Sequence, residues 1–215
     1  MNISVEVISD VICPWCYIGK RRLEKAIAAY GEPMTVSWHP FQLNPAVPKE
    51  GISRREYRIA KFGSWERSME LDANIVTVGK QEGIHFDFDR MGRTPNTLDA
   101  HRLIWLSNKH SIQDAVVEAL FRAYFTDGRD ISNPKTLTDV VVEAGMDRGK
   151  AEAVLNGNEG LEALKEASEL SRRYHVDGVP FFIVNKKFTL SGAQAPDVFV
   201  AAFEQSSDSK VGSQP

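Results

Sequence analysis

The chain has 215 residues, of which 42% are hydrophobic and 26% are charged, and its formal net charge is -3. This balance is ordinary for a globular protein, and the length suits one large domain or a domain that carries an insertion. A slightly acidic chain has no electrostatic basis for binding nucleic acid or an anionic membrane, so we expect neither partner.

The first ten residues, MNISVEVISD, have neither the basic segment nor the apolar segment of a secretory signal. The sequence also lacks a run of about 18 apolar residues, which a transmembrane helix would need. We therefore expect a cytoplasmic protein. A processed form that has lost its leader would show the same N-terminus.

The opening of the chain predicts a strand, a helix and a second strand. Residues 3–9 alternate apolar and polar side chains, which is typical of a strand. Helical spacing runs from Pro14 to Tyr30, and Gly31 is placed to end that helix. Residues 34–41 alternate again, so a parallel pair of strands joined by a helix is the natural interpretation.

The central part of the chain has helical patterns, and strands return after it. Helical spacing recurs near residues 53–62, 64–82, 96–109, 111–126, 134–144, 148–156 and 160–174. Residues 181–184 and 188–190 predict a hairpin, and a last helix follows residues 191–197. The order predicts an α/β core with a helical insertion.

We therefore divide the chain into three parts. Residues 1–44 and 176–204 form the predicted core, and residues 45–175 form a helical domain inserted into it. Residues 205–215 are polar and predict a flexible tail.

The only two cysteines lie in the unit C-P-W-C, directly after the first strand and at the start of the first helix. Unpaired backbone N–H groups and the helix dipole would stabilise a thiolate on Cys13. Cys16 lies nearly one turn further on, where it should be less exposed. The spacing predicts that Cys13 attacks a disulfide and that Cys16 resolves the mixed disulfide.

Other roles for this pair are possible. A zinc site would need two further nitrogen or sulfur ligands, but there is no third cysteine and the histidines lack zinc-ligand spacing. A bridge across so short a loop would contribute little stability. Two buried, inert thiols are the remaining alternative, and the strand-then-helix placement argues against them.

A second candidate motif lies far downstream, in the segment 176-VDGVPFFIVN-185. A cis Val179–Pro180 bond would bring the Val179 backbone beside the cysteines, where its polar groups could pair with an extended substrate. The alternative is a plain turn before a strand, which we would favour for this motif taken alone.

Together, the two motifs resemble the DsbA family of thioredoxin-fold proteins. The segments D-V-I-C-P-W-C-Y-I-G, P-F-Q-L-N-P, N-T-L-D-A-H-R-L, G-V-P-F-F-I-V-N and S-G-A-Q resemble its FrnE-like subgroup, and the resemblance spans residues 3–204. It implies a thioredoxin fold with a large all-α domain inserted between the second and third strands. It also implies a thiol–disulfide oxidoreductase or isomerase, with Cys13 as nucleophile, Cys16 as resolving thiol and Pro180 as the cis-proline.

Trp15 separates this chain from the best-known DsbA enzymes, which are secreted and carry a histidine between the cysteines. An indole offers a single ring N–H as a hydrogen-bond donor. We therefore expect a less oxidising pair, and reductase or isomerase work in a reducing cytosol. Trp15, Phe41 and Phe181 are candidates for an apolar rim that contacts unfolded chains, with core positions as the alternative.

Three polar residues are also site candidates. The resemblance places the helix that carries His101 over the active site, where His101 would tune the thiolate or contact substrate. The alternative is a histidine satisfied inside the helical domain. Asn96 is a predicted helix N-cap. Asp10 either shuttles a proton from Cys16 or, in the interpretation we favour, caps the loop before the helix.

Gln194 raises a second functional hypothesis. Kappa glutathione transferases and 2-hydroxychromene-2-carboxylate isomerases share the fold, and they hold the γ-glutamyl carboxylate of glutathione at the start of the last helix. Ser191, Gly192, Ala193 and Gln194 are the corresponding residues here. Those enzymes usually keep a serine at the position of Cys13, so the intact pair favours redox chemistry.

Several functional points stay open at this stage. We expect no bound cofactor and no metal, and glutathione is a candidate co-substrate. The expected partners are protein or small-molecule thiols and disulfides. Besides a glutathione-dependent transferase or isomerase, a binding module that holds peptides along Val179 is an alternative. A monomer and a homodimer are both compatible with the sequence.

Overall fold

The computed structural model describes residues 3–208. In chain order the elements are β1 (Ile3–Ser9), α1 (Pro14–Tyr30), β2 (Met34–Pro40), β3 (Ile52–Ser53), α2 (Arg54–Phe62), α3 (Trp65–Gln81), a 3₁₀ turn (Phe88–Arg90), β4 (Arg93–Thr94), α4 (Leu98–Asn108), α5 (Gln113–Phe125), α6 (Pro134–Glu143), α7 (Arg148–Asn156), α8 (Leu161–Arg173), β5 (Phe181–Val184), β6 (Phe188–Ser191) and α9 (Pro196–Asp208).

The main sheet has the strand order β2-β1-β5-β6. β1 and β2 are parallel, with Ile3 opposite Met34. β5 runs antiparallel to β1 and pairs Phe181 with Ile8, and β6 returns antiparallel to β5. Segments distant in sequence therefore meet at the centre of the sheet. This is a thioredoxin fold with a long, mainly helical insertion between its second and third strands, as the sequence predicts.

The insertion is not entirely helical. β3 and β4 pair as two-residue antiparallel strands, with Ile52 opposite Thr94. Strands this short leave no alternating pattern in the sequence, so the expectation of an all-α insertion missed them. The division into separate domains after residues 44 and 175 stays a prediction.

α1 begins and ends where the sequence predicts. Pro14 occupies the first turn, where its missing N–H costs no hydrogen bond, and Gly31 ends the helix in the left-handed region with φ 78°. The Tyr17 ring of α1 stacks on the Phe121 ring of α5, with centroids 5.0 Å apart. The helix that begins at the cysteines is thus packed against the insertion.

α9 extends further than predicted. It reaches Asp208, so residues 205–208, which the sequence assigned to a tail, are helical. The buried Ser206 hydroxyl donates to the Phe203 carbonyl and accepts from the Asn185 amide, which ties the last turn to the core. The rest of the predicted tail, residues 209–215, lies outside the described residues. Within residues 3–208, no helix is long and apolar enough to cross a membrane.

Candidate functional site

The two cysteines lie at the N-terminal end of α1, and both are free thiols. Cys13 occupies the N-cap position without a side-chain capping bond, and Cys16 lies in the first turn. Cys13 is 5% exposed and Cys16 is 1% exposed, which is the predicted order. Among residues 3–208, no group of three histidine, cysteine, aspartate or glutamate side chains is arranged to hold a metal ion.

The downstream motif lies directly against Cys13. The Val179–Pro180 bond is cis, and the Cys13 thiol donates to the Val179 carbonyl with Sγ and O 3.4 Å apart. α1 approaches Pro180 closely at Gly19, where an added Cβ would lie 3.0 Å from Pro180 Cγ. The glycine therefore allows this helix to pack against the proline.

The Cys16 thiol lies in surroundings that disfavour its charge. Burial raises its pKa well above the ordinary value, and the neighbouring Cys13 thiol and the Asp10 carboxylate add to this. A hydrogen bond from the Asp10 backbone acts in the opposite direction but is outweighed. Cys16 is therefore a protonated thiol at neutral pH, and it must lose its proton before it can attack a disulfide.

Asp10 is fully buried and is linked to His101. Its Oδ2 accepts from the Leu43 N–H at 2.8 Å, and its Oδ1 lies 3.4 Å from His101 Nε2. The same imidazole nitrogen is 3.1 Å from the Phe41 carbonyl oxygen. Asp10 thus braces the loop after β2 while its charge acts on Cys16. His101 is 2% exposed, so its contacts are with protein groups.

Asn96 lies one residue before the N-cap of α4, the position that the sequence analysis predicted for it. Thr97 is the N-cap residue of α4, and the helix begins at Leu98. The prediction of Asn96 as the N-cap was therefore wrong in position. Its carboxamide oxygen nevertheless accepts from the Leu98 N–H at 2.9 Å, because a loop side chain two residues away reaches the same free donor.

The three aromatic residues predicted as a rim do not lie together in one surface. Trp15 is 36% exposed and lines a cavity with Cys13, whereas Phe41 lines a different, larger cavity of about 820 Å³ that contains neither cysteine. Phe181 is half-buried at the start of β5. The structure therefore supports a role near the thiols for Trp15 alone.

The cavity beside Cys13 has a volume of about 300 Å³ and is lined by residues of α1, α2, α3, α5 and the 3₁₀ turn, together with loop residues. Three cations line it, and sequence reasoning missed them. The three cations are Arg54, Arg58 and Lys61 of α2. Their spacing of four and three residues was a usable signal in the sequence, because residues this far apart lie on the same face of a helix. The side chains that line the cavity include Ile12, Trp15, Leu43, Tyr57, Leu71, Ile75, Phe88, Met91, Tyr124, Arg54, Arg58 and Lys61.

The turn that carries Gln194 lies against the cis-proline. The Gly192 N–H donates to the Pro180 carbonyl at 2.8 Å, and the Gln194 carboxamide donates to the Ser191 carbonyl at 2.6 Å. Arg22 holds the same turn by donating to the Ala193 carbonyl at 2.6 Å. The sequence-predicted residues of this turn are thus brought to the site through Pro180.

Known proteins resemble this chain in sequence and architecture. A model of the DsbA-like thioredoxin domain matches residues 4–204. The chain is 29% identical to a probable DsbA oxidoreductase from Streptomyces coelicolor, with a TM-score of 0.90 over 100% of this chain and 92% of that one.

Two more distant structures share the fold. The cytosolic disulfide reductase DsbM from Pseudomonas aeruginosa, solved with GSH, is 20% identical, with a TM-score of 0.68 over 94% of this chain and 98% of that one. A 2-hydroxychromene-2-carboxylate isomerase is 18% identical, with a TM-score of 0.71 over 98% of this chain and 100% of that one.

Proposed function

This chain belongs to the family of DsbA-like thioredoxin domains, and we propose that it exchanges disulfides through Cys13 and Cys16. The family makes it a thiol–disulfide oxidoreductase. The observation that carries the residue assignment is the hydrogen bond from the Cys13 thiol to the carbonyl of Val179, the residue that precedes the cis Pro180. Cys16 is buried in the first turn of the same helix.

The reaction consumes one disulfide and two thiols. The Cys13 thiolate attacks one sulfur of the substrate, which forms a mixed disulfide and releases the other half as a thiolate. Cys16 then loses its proton and attacks the Cys13 sulfur, which releases the second half. The substrate gains two electrons and two protons, and the Cys13–Cys16 pair becomes a disulfide.

Val179 and Pro180 hold the substrate in this proposal. A substrate segment that lies beside Val179 would pair with its backbone, as an added strand pairs with a sheet edge. The Val179 carbonyl already accepts from the Cys13 thiol at 3.4 Å, so a segment bound there is within reach of the attacking sulfur.

Reduction is the direction we propose, in the cytosol and with glutathione as the reducing co-substrate. Two glutathione thiols would return the Cys13–Cys16 disulfide to its dithiol state and leave as glutathione disulfide. Trp15 in place of histidine supports the reductive direction. The DsbM structure, a cytosolic disulfide reductase with GSH, supports both the compartment and the co-substrate.

A glutathione-dependent isomerase or transferase of a small molecule is the second candidate. The contact between Gly192 and Pro180 supports this candidate, because it holds the Ser191–Gln194 turn, the proposed γ-glutamyl site, against the cis-proline. In that reaction glutathione supplies the thiol, so a serine at residue 13 should preserve turnover.

Substitution of each cysteine tests the assignment. Cys13→Ser should abolish the reduction of insulin disulfides, because no other free thiol lies near the surface of the site. Cys16→Ala should keep the first attack and accumulate a mixed disulfide, which mass spectrometry detects.

Two results would contradict this assignment. Full turnover by Cys13→Ser would support the glutathione-dependent candidate. Absence of any mixed disulfide in Cys16→Ala would remove the resolving role from Cys16.

A further inference from the structure

The cavity beside Cys13 has a cationic wall on one side. Arg54, Arg58 and Lys61 all line it from α2, and the lining residues that the structure describes include no aspartate or glutamate. Asp72 of α3 lies behind the wall and bonds both guanidinium groups, at 2.6 Å from Arg54 and 2.5 Å from Arg58. One carboxylate thus pairs with both arginines, while the Lys61 ammonium donates to the Tyr57 hydroxyl at 2.9 Å.

The two arginines are held firmly. Arg54 and Arg58 have side chains that are 5% and 15% exposed. Arg58 Nε also donates to the Ser68 hydroxyl at 2.7 Å. Burial lowers the pKa of the Arg58 guanidinium, Asp72 opposes this, and Arg54 adds to it. One amino group of Arg58 is engaged as well, by the Ser68 carbonyl and Asp72, so the other amino group is the one that can donate a charge-assisted hydrogen bond to a carboxylate or another oxyanion.

The rest of the cavity is largely apolar and aromatic. A cavity of about 300 Å³ with apolar walls and a few polar groups is typical of a small-molecule site. Cys13 is one of the residues that line it, and this residue is 5% exposed. A substrate that fills the cavity would therefore place an atom close to Cys13 Sγ.

We propose that this cavity binds the substrate disulfide itself, as a small molecule with an apolar body and a carboxylate. The inference rests on the thiol–disulfide exchange proposed above. The apolar body contacts the aromatic wall, and the carboxylate lies at Arg58 and Lys61. Cys13 attacks the nearer sulfur, Cys16 displaces the half that stays bound, and two thiols leave while the cysteine pair is oxidised.

Single-turnover rates of the reduced protein test this proposal. The probes are dithiobis(nitrobenzoate), an aromatic disulfide with carboxylates, and dithiodipyridine, an aromatic disulfide that is uncharged at neutral pH. Each rate is divided by the rate of the same disulfide with free glutathione, which removes the difference in intrinsic reactivity. The reductant is removed beforehand, so each protein molecule reacts once.

Charge-removing variants should affect the two probes differently. Arg58→Gln should slow the reaction with dithiobis(nitrobenzoate) by about tenfold, as the loss of one charge-assisted hydrogen bond implies, and Lys61→Gln by about threefold. For both variants the rate with dithiodipyridine should stay within about twofold of the wild-type rate, because this probe has no carboxylate for the cations to bind. Arg55→Gln is the matched control, since Arg55 is exposed on the same helix and does not line the cavity. It should leave both rates unchanged.

The possible failures are distinguishable. The substrate proposal is overturned if the normalised rates show no preference for the carboxylated probe, or if Arg55→Gln slows it as much as Lys61→Gln does. Lys61 is exposed, so Lys61→Gln decides the matter if Arg58→Gln does not fold. Failure of the exchange chemistry would look different, because the wild-type protein would react with neither probe.

Discussion

Cys16 and Asp10 are both buried, and the Asp10 carboxylate acts electrostatically on the Cys16 thiol. Burial and the Asp10 charge raise the Cys16 pKa, so the Cys16 thiol is protonated at neutral pH. A proton acceptor is therefore needed when Cys16 attacks. Asp10 is the buried carboxylate that acts on this thiol, and His101 Nε2 lies 3.4 Å from its Oδ1.

Asp10→Asn should slow the resolving step at pH 7 by about tenfold to a hundredfold, because general-base assistance contributes at least this much. The measurement is the lifetime of the mixed disulfide formed on Cys13. The rate in both proteins should rise with pH as Cys16 ionises, and the difference between them should narrow at alkaline pH. The variant keeps an oxygen for the Leu43 N–H, so the loop should be preserved.

An effect of charge alone would give the opposite result. The Asp10 carboxylate raises the Cys16 pKa, so removing its charge would then speed resolution at pH 7. Glu6→Gln serves as the control, since it removes a carboxylate from β1, the strand that ends one residue before Asp10, and Glu6 does not act on Cys16. That control should leave the mixed-disulfide lifetime unchanged.

At the scale of elements, α3 is fitted tightly against the aromatic cluster that backs the cavity. An added Cβ on Gly79 would lie 2.4 Å from the Phe86 ring. That ring stacks on Phe88 at 5.3 Å and meets Tyr17 edge-on at 6.0 Å. Phe86 is therefore held on several sides and cannot move aside without disturbing the cavity wall.

Gly79→Ala should destabilise the protein by about 1–3 kcal/mol, the usual cost of an overpacked core. Alanine is intrinsically the better helix former by about 1 kcal/mol, so a net loss would show that the ring clash dominates. Urea denaturation measures the change. Gly149→Ala in α7 is the control, because its nearest contact is 3.3 Å away, at the Asp147 carboxylate oxygen that caps the Lys150 N–H, and a shift of a few tenths of an ångström relieves it. It should be neutral or mildly stabilising, and equal effects at both sites would contradict the packing argument.

At the scale of the whole molecule, an ion network joins the thioredoxin core to the insertion. Lys20 of α1 is 2% exposed, and its ammonium lies 3.1 Å from Asp114 and 3.3 Å from Glu118 of α5, with Glu24 also in contact. Burial would lower the Lys20 pKa, but these three carboxylates outweigh it and raise it. Burial likewise opposes ionisation of Glu118, yet Arg21 and Lys20 lower its pKa.

Lys20→Met should destabilise the protein by about 1–3 kcal/mol at pH 7, because it removes charged hydrogen bonds between the two parts. The loss should shrink as pH falls below about 4, since a carboxylate with a lowered folded-state pKa contributes stability above its unfolded value and loses it on protonation. Urea titrations across pH measure this. Lys25→Met, at a side chain that is 50% exposed, is the control and should change stability by less than about 1 kcal/mol. A pH-independent loss in Lys20→Met would contradict the electrostatic explanation.

Much of the fold and part of the site could be predicted from local patterns. The limits of α1 and the strands of the core follow from periodicity and turn residues, whereas the meeting of Cys13 with the Val179–Pro180 segment, 166 residues away, was implied by the family resemblance. The helix limits and the strands depend on neighbours within a few residues, whose preferences are written directly in the chain. The N-cap of α4, the β3–β4 pair and the end of α9 differed, because contacts from distant segments determine those boundaries.

The linear order of residues was therefore sufficient for the fold class, the family resemblance and the place of the two cysteines at the start of α1. Packing in three dimensions was needed to reveal the burial of Cys16 beside Asp10, and the meeting of Arg54 and Arg58 on one carboxylate at a cavity next to Cys13. The reason is physical, because burial, charge balance and cavity shape are sums over side chains that are far apart in sequence. No local sequence pattern contains those sums. The proposed selectivity for a carboxylated substrate depends on them.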